Sequence, residues 1–251
     1  MEIYFMEILS FGAGGRMEEC ARYLRERCPT ESDTERLIVL PIPTTKDKKL
    51  VTGTDLPLSE IPNLVKRGTL VAGYGIPDGI GDEICLRGGV LYDALYDEEF
   101  LEENAEMTAV GALVKIIGTE KTFPGGLRVG VVGFGRIGKR LVRHLLFLGA
   151  RVRVYSGNRD TLQSLHSAGV EGCGYGELHG VSELDVLINT APAGLLRESD
   201  VRDAPRLRIV ELASGNGLDG IPRVEKMPSL PSVMFPVSAG RAYAERILTR
   251  L

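Results

Sequence analysis

Histidine is scarce in this chain and cysteine is scattered. None of the three histidines, His144, His166 and His179, stands at the carboxyl end of an apolar strand-like run, where an α/β fold would hold a catalytic base, so each reads as a packing or surface residue. The four cysteines, Cys20, Cys28, Cys85 and Cys173, form no CxxC pair and meet no histidine at metal-finger spacing. That excludes a disulfide framework and a structural zinc site, no metal is expected, and reduced thiols point to the cytoplasm. There is also no excess of basic charge: the net charge of −4 gives no broad positive field, so nucleic acid is not an expected partner. No uninterrupted apolar run approaches membrane-spanning length, and the first seven residues are acidic where a leader would be basic. No membrane association is expected, and the reading is a cytoplasmic one.

What is present is glycine in an ordered setting. The 251 residues, 43% hydrophobic and 25% charged, suit two modest α/β domains. At their centre, residues 127–155 read Leu-Arg-Val-Gly-Val-Val-Gly-Phe-Gly-Arg-Ile-Gly-Lys-Arg-Leu-Val-Arg-His-Leu-Leu-Phe-Leu-Gly-Ala-Arg-Val-Arg-Val-Tyr. A β-branched run (Val129, Val131, Val132) enters a glycine turn; apolar residues then recur at helical spacing (Ile137, Leu141, Leu145, Leu148), and a second strand follows at residues 152–155. Gly133 permits the tight turn, Gly135 lets a pyrophosphate approach the backbone, and Gly138 lets the helix pack closely on the strand. The pyrophosphate would rest on the free N–H groups at the positive end of that helix. Gly133, Phe134, Gly135, Arg136, Ile137 and Gly138 are therefore expected to bind a dinucleotide.

The end of the second strand selects which dinucleotide. NAD sites place an acid there for the ribose 2′-OH, whereas NADP sites lack it and offer arginine to the 2′-phosphate. Here the chain reads Tyr155-Ser156-Gly157-Asn158-Arg159, with no acid before Asp160. NADP is expected, with Ser156, Asn158 and Arg159 as phosphate contacts; the alternative for Arg159 is a solvated residue opening the next helix, residues 160–168.

Taken in order, residues 3–11 read as a strand, followed by Gly12-Ala13-Gly14-Gly15-Arg16 and a helix over residues 17–27. The position three beyond Gly14 is Met17, so this reads as the first turn of a separate domain rather than a second nucleotide site, with a place facing an interdomain cleft left open. Residues 37–41 are a buried parallel strand. The loop after it carries Thr44, Thr45 and Lys46, candidate substrate contacts at the carboxyl edge, while Lys48 and Lys49 read as solvated. Further strands are expected at residues 70–74 and 88–93, and a helix over residues 100–118 whose small residues, Thr108 among them, border the cleft. Beyond the glycine unit, strands are expected at residues 185–192 and 207–212. Asn189, Thr190, Ala191 and Pro192 would contact the cofactor, and the loop containing Ser214 would reach the same edge. A short strand at residues 232–235 and a helix over residues 238–251 would complete the chain.

Several segments resemble the A subunits of dipicolinate synthase from spore-forming bacteria: Leu40-Pro41-Ile42-Pro43-Thr44-Thr45-Lys46-Asp47, Asn104-Ala105-Glu106-Met107-Thr108-Ala109-Val110-Gly111-Ala112, the Gly133–Gly138 turn, Leu148-Gly149-Ala150, Ile188-Asn189-Thr190-Ala191-Pro192, Glu211-Leu212-Ala213-Ser214 and Ser238-Ala239-Gly240. More distantly the arrangement resembles the D-2-hydroxyacid and alanine dehydrogenases. Serine stands where the former would place a catalytic arginine after the fifth strand, and residues 1–143 lack the histidine of the latter. The resemblance implies two Rossmann-like α/β domains with parallel sheets around a cleft, linked by a long helix: residues 1–102 as a flavodoxin-like substrate domain, 103–236 as the NADP domain, and 237–251 packing back toward the first. It implies NADP-dependent oxidation of a dihydrodipicolinate-type heterocycle to dipicolinate during sporulation, in partnership with a flavoprotein-like B subunit, and a homo-oligomeric assembly. Thr44, Thr45 and Lys46 would bind one carboxylate of a small dicarboxylate substrate, and Thr108, Ser214 and Ser238 would lie near the other. No residue declares itself as the general base. The chain is shorter than that family, chiefly in its first domain, and Met234-Phe235-Pro236-Val237-Ser238 replaces a glycine-rich, lysine-bearing segment. Another NADP-dependent dehydrogenase of a small carboxylic or amino acid, or a non-catalytic NADP-binding protein, are the alternatives.

Overall fold

The computed structural model describes residues 7–28, 36–120, 123–192, 194–213, 218 and 220–251. The chain divides into two units: Met1–Asn104 with Pro231–Leu251, and Ala105–Leu230. Each is an α/β unit built on a parallel sheet, one of four strands and one of six.

The first unit opens with β1 (Glu7–Ser10), α1 (Gly15–Arg27) and β2 (Arg36–Val39). It continues through two short 3₁₀ turns to β3 (Leu70–Gly73), α2 (Asp78–Leu86) and β4 (Val90–Asp93). The strands lie in the order β1-β2-β3-β4, all parallel. Flavodoxin-type sheets are also parallel but run in the order 2-1-3-4-5, with the second strand outside the first, whereas this order runs straight through. Alternation along the strands fills both faces, as a period of two requires. Leu37, Val39, Leu70 and Ala72 cluster with Met17, Cys20 and Leu24 of α1. Ile38, Leu40 and Val71 cluster with Val51, Leu58, Ile61 and Ile84. Burial on both faces is why β2 reads as a continuous apolar run.

Helix α3 (Glu98–Glu120) carries the chain past Asn104 into the second unit. There follow β5 (Arg128–Val132), α4 (Arg136–Phe147), β6 (Arg151–Tyr155), α5 (Arg159–Ser167), β7 (Glu171–Cys173), a 3₁₀ stretch Tyr175–Glu183, β8 (Val186–Asn189), α6 (Glu198–Val201), β9 (Arg208–Glu211) and β10 (Val224–Lys226). The strand order is β10-β9-β8-β5-β6-β7, entirely parallel. Renumbered from β5, this is the doubly wound order 3-2-1-4-5-6 of a dinucleotide-binding sheet, with its topological switch point between β5 and β8.

The chain then passes through α7 (Leu230–Met234) and ends in α8 (Pro236–Leu248). Residues 232–235 are thus mostly helical, which corrects the expectation of a terminal strand. An apolar run of four cannot distinguish strand from helix, and Pro231 in the first turn pre-sets a helical φ. Helix α8 lies against α1, burying Ala239, Gly240, Tyr243, Ala244 and Ile247 at helical spacing. A Cβ built on Gly240 would stand 2.6 Å from the Arg16 carbonyl oxygen and 2.8 Å from the Cys20 nitrogen, so the two backbones approach as only glycine allows. Tyr23 donates to Glu245 (2.7 Å), and Arg241 pairs with Glu19 (3.1 Å) along the same seam. The strands β7 and β10 and helix α2 carry too little apolar pattern to be anticipated. Glu171-Gly172-Cys173 has no β-branched residue, and its place in the sheet is secured by pairing with β6.

Candidate active site

The glycine turn sits at the switch point of the second sheet, and each glycine there has a distinct surrounding. Gly133 adopts φ 91° and donates to the Tyr155 carbonyl at 2.9 Å. A Cβ on Gly138 would stand 2.3 Å from the Gly133 carbonyl oxygen, so α4 is seated directly on the turn. Gly135 is different: a Cβ there meets no atom within 4 Å. Gly135 is also the N-cap of α4 and supplies no capping side chain. The first N–H groups of α4 therefore lack intrahelical partners beside an open, exposed backbone. That cradle fits the pyrophosphate of a dinucleotide, since oriented N–H donors and the positive end of the helix both favour an anion. Phe134 and Ile137 are half-buried and Arg136 exposed at its rim.

At the end of β6, Ser156 is buried and its Oγ accepts from the Asn158 backbone N–H at 3.2 Å. Asn158 caps α5, its Oδ1 accepting from Thr161 N–H at 3.0 Å, and Arg159 is exposed at the first position of that helix. Ser156 and Asn158 thus shape the turn, while Arg159 presents charge at its surface. Asp160 lies one residue farther on, inside α5.

Across the switch point the β8 loop is tied down. Thr190 Oγ1 donates to the Val132 carbonyl (2.9 Å), which fastens this loop to β5 beneath the glycine turn. Asn189 is buried; its Nδ2 donates to the Ala191 carbonyl (2.9 Å) and to both carboxylate oxygens of Glu211 (3.0 and 3.1 Å). Glu211, itself buried, accepts from Ala213 N–H at 2.9 Å. Asn189 and Glu211 occupy the last, directly paired positions of β8 and β9. A buried acid is stable there because its oxygens receive N–H donors. The sequence alone does not single out Glu211; the one signal it offers is an acid ending an apolar strand. Ala191 is half-buried and Pro192 exposed, and Ser214 lies outside the described residues.

A second polar cluster joins α3 to α4. Glu106 receives Arg143 (3.0 Å), Arg140 (3.1 Å) and His144 Nε2 (2.6 Å). This gives His144 a packing role, and His166 is exposed in the last turn of α5. Thr108, two residues beyond Glu106, is 8% exposed.

In the first unit, Thr44 is fully buried: its N–H donates to the Tyr74 carbonyl (2.9 Å) and its Oγ1 accepts from Tyr74 N–H (2.8 Å). Thr44 therefore fastens the loop after β2 to the end of β3. Thr45 Oγ1 donates to Asp47 (3.2 Å) and accepts from Lys48 N–H (2.9 Å). The Leu50 and Lys49 N–H groups hold the Asp47 carboxyl below the usual carboxylate range. Lys46 is exposed on this loop, and Ser238 is exposed in the first turn of α8. Among the described residues, no group of histidine, cysteine and acidic side chains could hold a metal ion, and no helix is long and apolar enough to cross a membrane.

No protein-family model matches this sequence, and no curated protein sequence does. Solved structures do match its fold. The A subunit of dipicolinate synthase from Bacillus halodurans superposes with a TM-score of 0.80 at 21% identity, covering 98% of this chain and 97% of its own. The dipicolinate synthase A chain from Bacillus subtilis gives 0.77 at 19% identity, covering 100% and 97%. An L-alanine dehydrogenase gives 0.55 at 18% identity, covering 100% and 88%. The chain is similar in fold to these dipicolinate synthase A subunits over nearly the whole length of both, and less closely to the two-domain dehydrogenases.

Proposed function

We propose that this chain is an NADP-dependent oxidoreductase of the dipicolinate synthase A kind, oxidising a dihydrodipicolinate-type heterocycle to dipicolinate during sporulation. The observation that carries the reading is the end-to-end fold match at TM-scores of 0.80 and 0.77, against 0.55 for the alanine dehydrogenase. The motifs shared with that family, from Leu40 to Gly240, support it. A flavoprotein-like B subunit, a homo-oligomeric state and a cytoplasmic location belong to the same proposal.

Gly133, Gly135 and Gly138 with the first turn of α4 would hold the pyrophosphate. Ser156, Asn158 and Arg159 would receive the 2′-phosphate, and Asn189, Thr190, Ala191 and Pro192 would line the nicotinamide ribose. When bound, the nicotinamide ring supplies hydride acceptance at C4. The remaining task of the protein is orientation and charge: the substrate must lose a proton as well as a hydride, and its two carboxylates must be balanced. Lys46 and Thr45, on the loop that Thr44 anchors, are assigned to one carboxylate, and Thr108, Ser214 and Ser238 to the other.

The test is titration with NADPH and NADH, following nicotinamide fluorescence. NADPH is expected to bind at least about tenfold more tightly, a difference of about 1.4 kcal/mol, with the preference shrinking in Arg159→Ala. Equal or tighter NADH binding would overturn the NADP assignment. Dipicolinate formation with a B subunit then tests the substrate.

A further inference from the structure

Strand β4 is an outer strand of the first sheet and, among the described residues, pairs with β3 alone. Val90 N–H donates to the Thr69 carbonyl at 2.8 Å. Alternate residues of a parallel strand bond the same neighbour, so Val90 and Tyr92 face β3 while the N–H and C=O of Leu91 point to the open edge. Natural edge strands are commonly blunted by lysine or proline. Val90-Leu91-Tyr92-Asp93 carries neither, and Leu86, Val90, Leu91, Leu95 and Tyr96 are all exposed on or beside it. Tyr96 is 78% and Val90 54% exposed; apolar side chains grouped on one surface in this way mark a contact site, unlike those scattered singly.

A groove of about 620 Å³ runs along this edge, walled by side chains from both faces of the sheet. Leu91 lies against α2, where a Cβ on Gly81 would be 3.2 Å from its Cδ2. On the opposite face the Arg250 guanidinium stands 5.5 Å from the ring centre of Tyr92. The charge of the groove is mostly of one sign. Asp78 and Asp82 of α2 line it and are exposed. Asp93 lines it too, its carboxylate accepting from the N–H groups of Gly75 (2.8 Å), Ile76 (2.9 Å) and Leu95 (2.9 Å), all neutral donors. Arg250, the lining cation, is 3.8 Å from Asp97, and among the described residues no ion pair engages Asp78, Asp82 or Asp93. Three carboxylates without a counter-charge therefore stand beside an unpaired strand edge.

We propose that the β4 edge docks an extended basic segment of a partner protein, which adds a strand to the sheet and sets lysine or arginine side chains opposite Asp78, Asp82 and Asp93. Leu91 supplies the main-chain donor and acceptor, and the carboxylates select the sign of the partner's charge. Apolar side chains of the segment, alternating with the basic ones, cover Val90 and Tyr96. A second copy of this chain is the poorer occupant. Two-fold pairing of β4 with itself would bring the acidic groove against its own image, and like charges facing one another are destabilising. The site does not depend on the dehydrogenase reading.

The experiment is fluorescence-anisotropy titration of the full chain with a labelled, end-capped peptide of alternating lysine and valine and with its glutamate–valine counterpart, together with hydrogen exchange at the Leu91 amide. The lysine peptide is expected to bind about tenfold more tightly than the glutamate peptide and to slow Leu91 exchange by a similar factor. The double variant Asp78→Lys with Asp82→Lys, at exposed positions of α2, should abolish that preference. Leu91→Pro removes the outward N–H and leaves the Val90 bond to β3 in place, so it should weaken lysine-peptide binding about fivefold. Equal binding of the two peptides, binding of neither, lysine-peptide binding with unchanged Leu91 exchange, or self-association of the free chain that Leu91→Pro abolishes would each overturn the assignment. NADPH titration of both variants is expected to match wild type, and its failure in wild type would count against the nucleotide reading alone.

Discussion

The two glycine turns of this chain begin alike and end differently. Each follows the first strand of a parallel sheet and opens a helix. Each sets a glycine at nearly the same positive φ, Gly12 at 92° and Gly133 at 91°, and each then leaves one glycine facing open space, Gly14 and Gly135. The third element separates them. In the second unit Gly138 presses α4 onto its own turn, whereas the corresponding Met17 is a buried core residue and the close approach is made by Gly15, where a Cβ would be 2.7 Å from Pro236 of α8. One turn packs helix on strand and leaves the backbone of Gly135 open at the start of α4. The other packs helix on helix and encloses an arginine. A run of glycines thus reports backbone geometry, and the neighbours decide what the geometry serves.

The largest effect that would break this contrast is at the seated glycine. Gly138→Ala places a methyl group 2.3 Å from a backbone oxygen, and overpacking of this kind is expected to cost about 3 kcal/mol in urea unfolding. Gly135→Ala meets open space, so its stability should stay within about 0.5 kcal/mol while NADPH affinity falls. Equal losses in the two variants would mean that the turn serves architecture only.

Next are the loop fastenings. Asn189→Ala removes the amide donor that both Glu211 oxygens use and should destabilise by about 2 kcal/mol, because a buried charged acceptor is left short of partners. Thr44→Val removes one neutral acceptor from Tyr74 N–H and should cost about 1 kcal/mol. Chemical denaturation of the two variants measures the difference.

Acid should distinguish Glu19 from a neutral residue at the α1–α8 seam. Hydrogen bonds from Arg22, then Arg241, lower the Glu19 carboxyl from 4.5 to about 2. A carboxyl depressed on folding stabilises above its unfolded value and loses that contribution as pH falls, here between about 4.5 and 2. Glu19→Gln should flatten this part of the stability–pH profile. The smallest effect is chemical: burial pushes the Cys20 thiol up to about 12 and Cys173 to about 11, whereas Cys85 is exposed. Alkylation of the folded protein should label Cys85 first, as peptide mapping would show.

Much of this architecture is legible in the residues themselves. The continuous apolar run of β2, the β-branched run of β5, the helical spacing after Gly138 and the absence of an acid before Asp160 are local properties, set by dihedral preference and by side chains along adjacent residues. They define the α/β class, the glycine turn and its helix. What the tertiary structure alone decided are relations between distant residues. Arg16 and Asn104 are 88 positions apart, and Asn189 meets Glu211 across 22. Ser156 and Asn158 turn out to bond within their own turn, and residues 232–235 fall mostly within a helix because a short apolar run has no period of its own. Burial is a property of the folded surroundings: the sequence shows an arginine after two glycines, and only the fold leaves it 5% exposed, with Asn104 of α3 against its guanidinium.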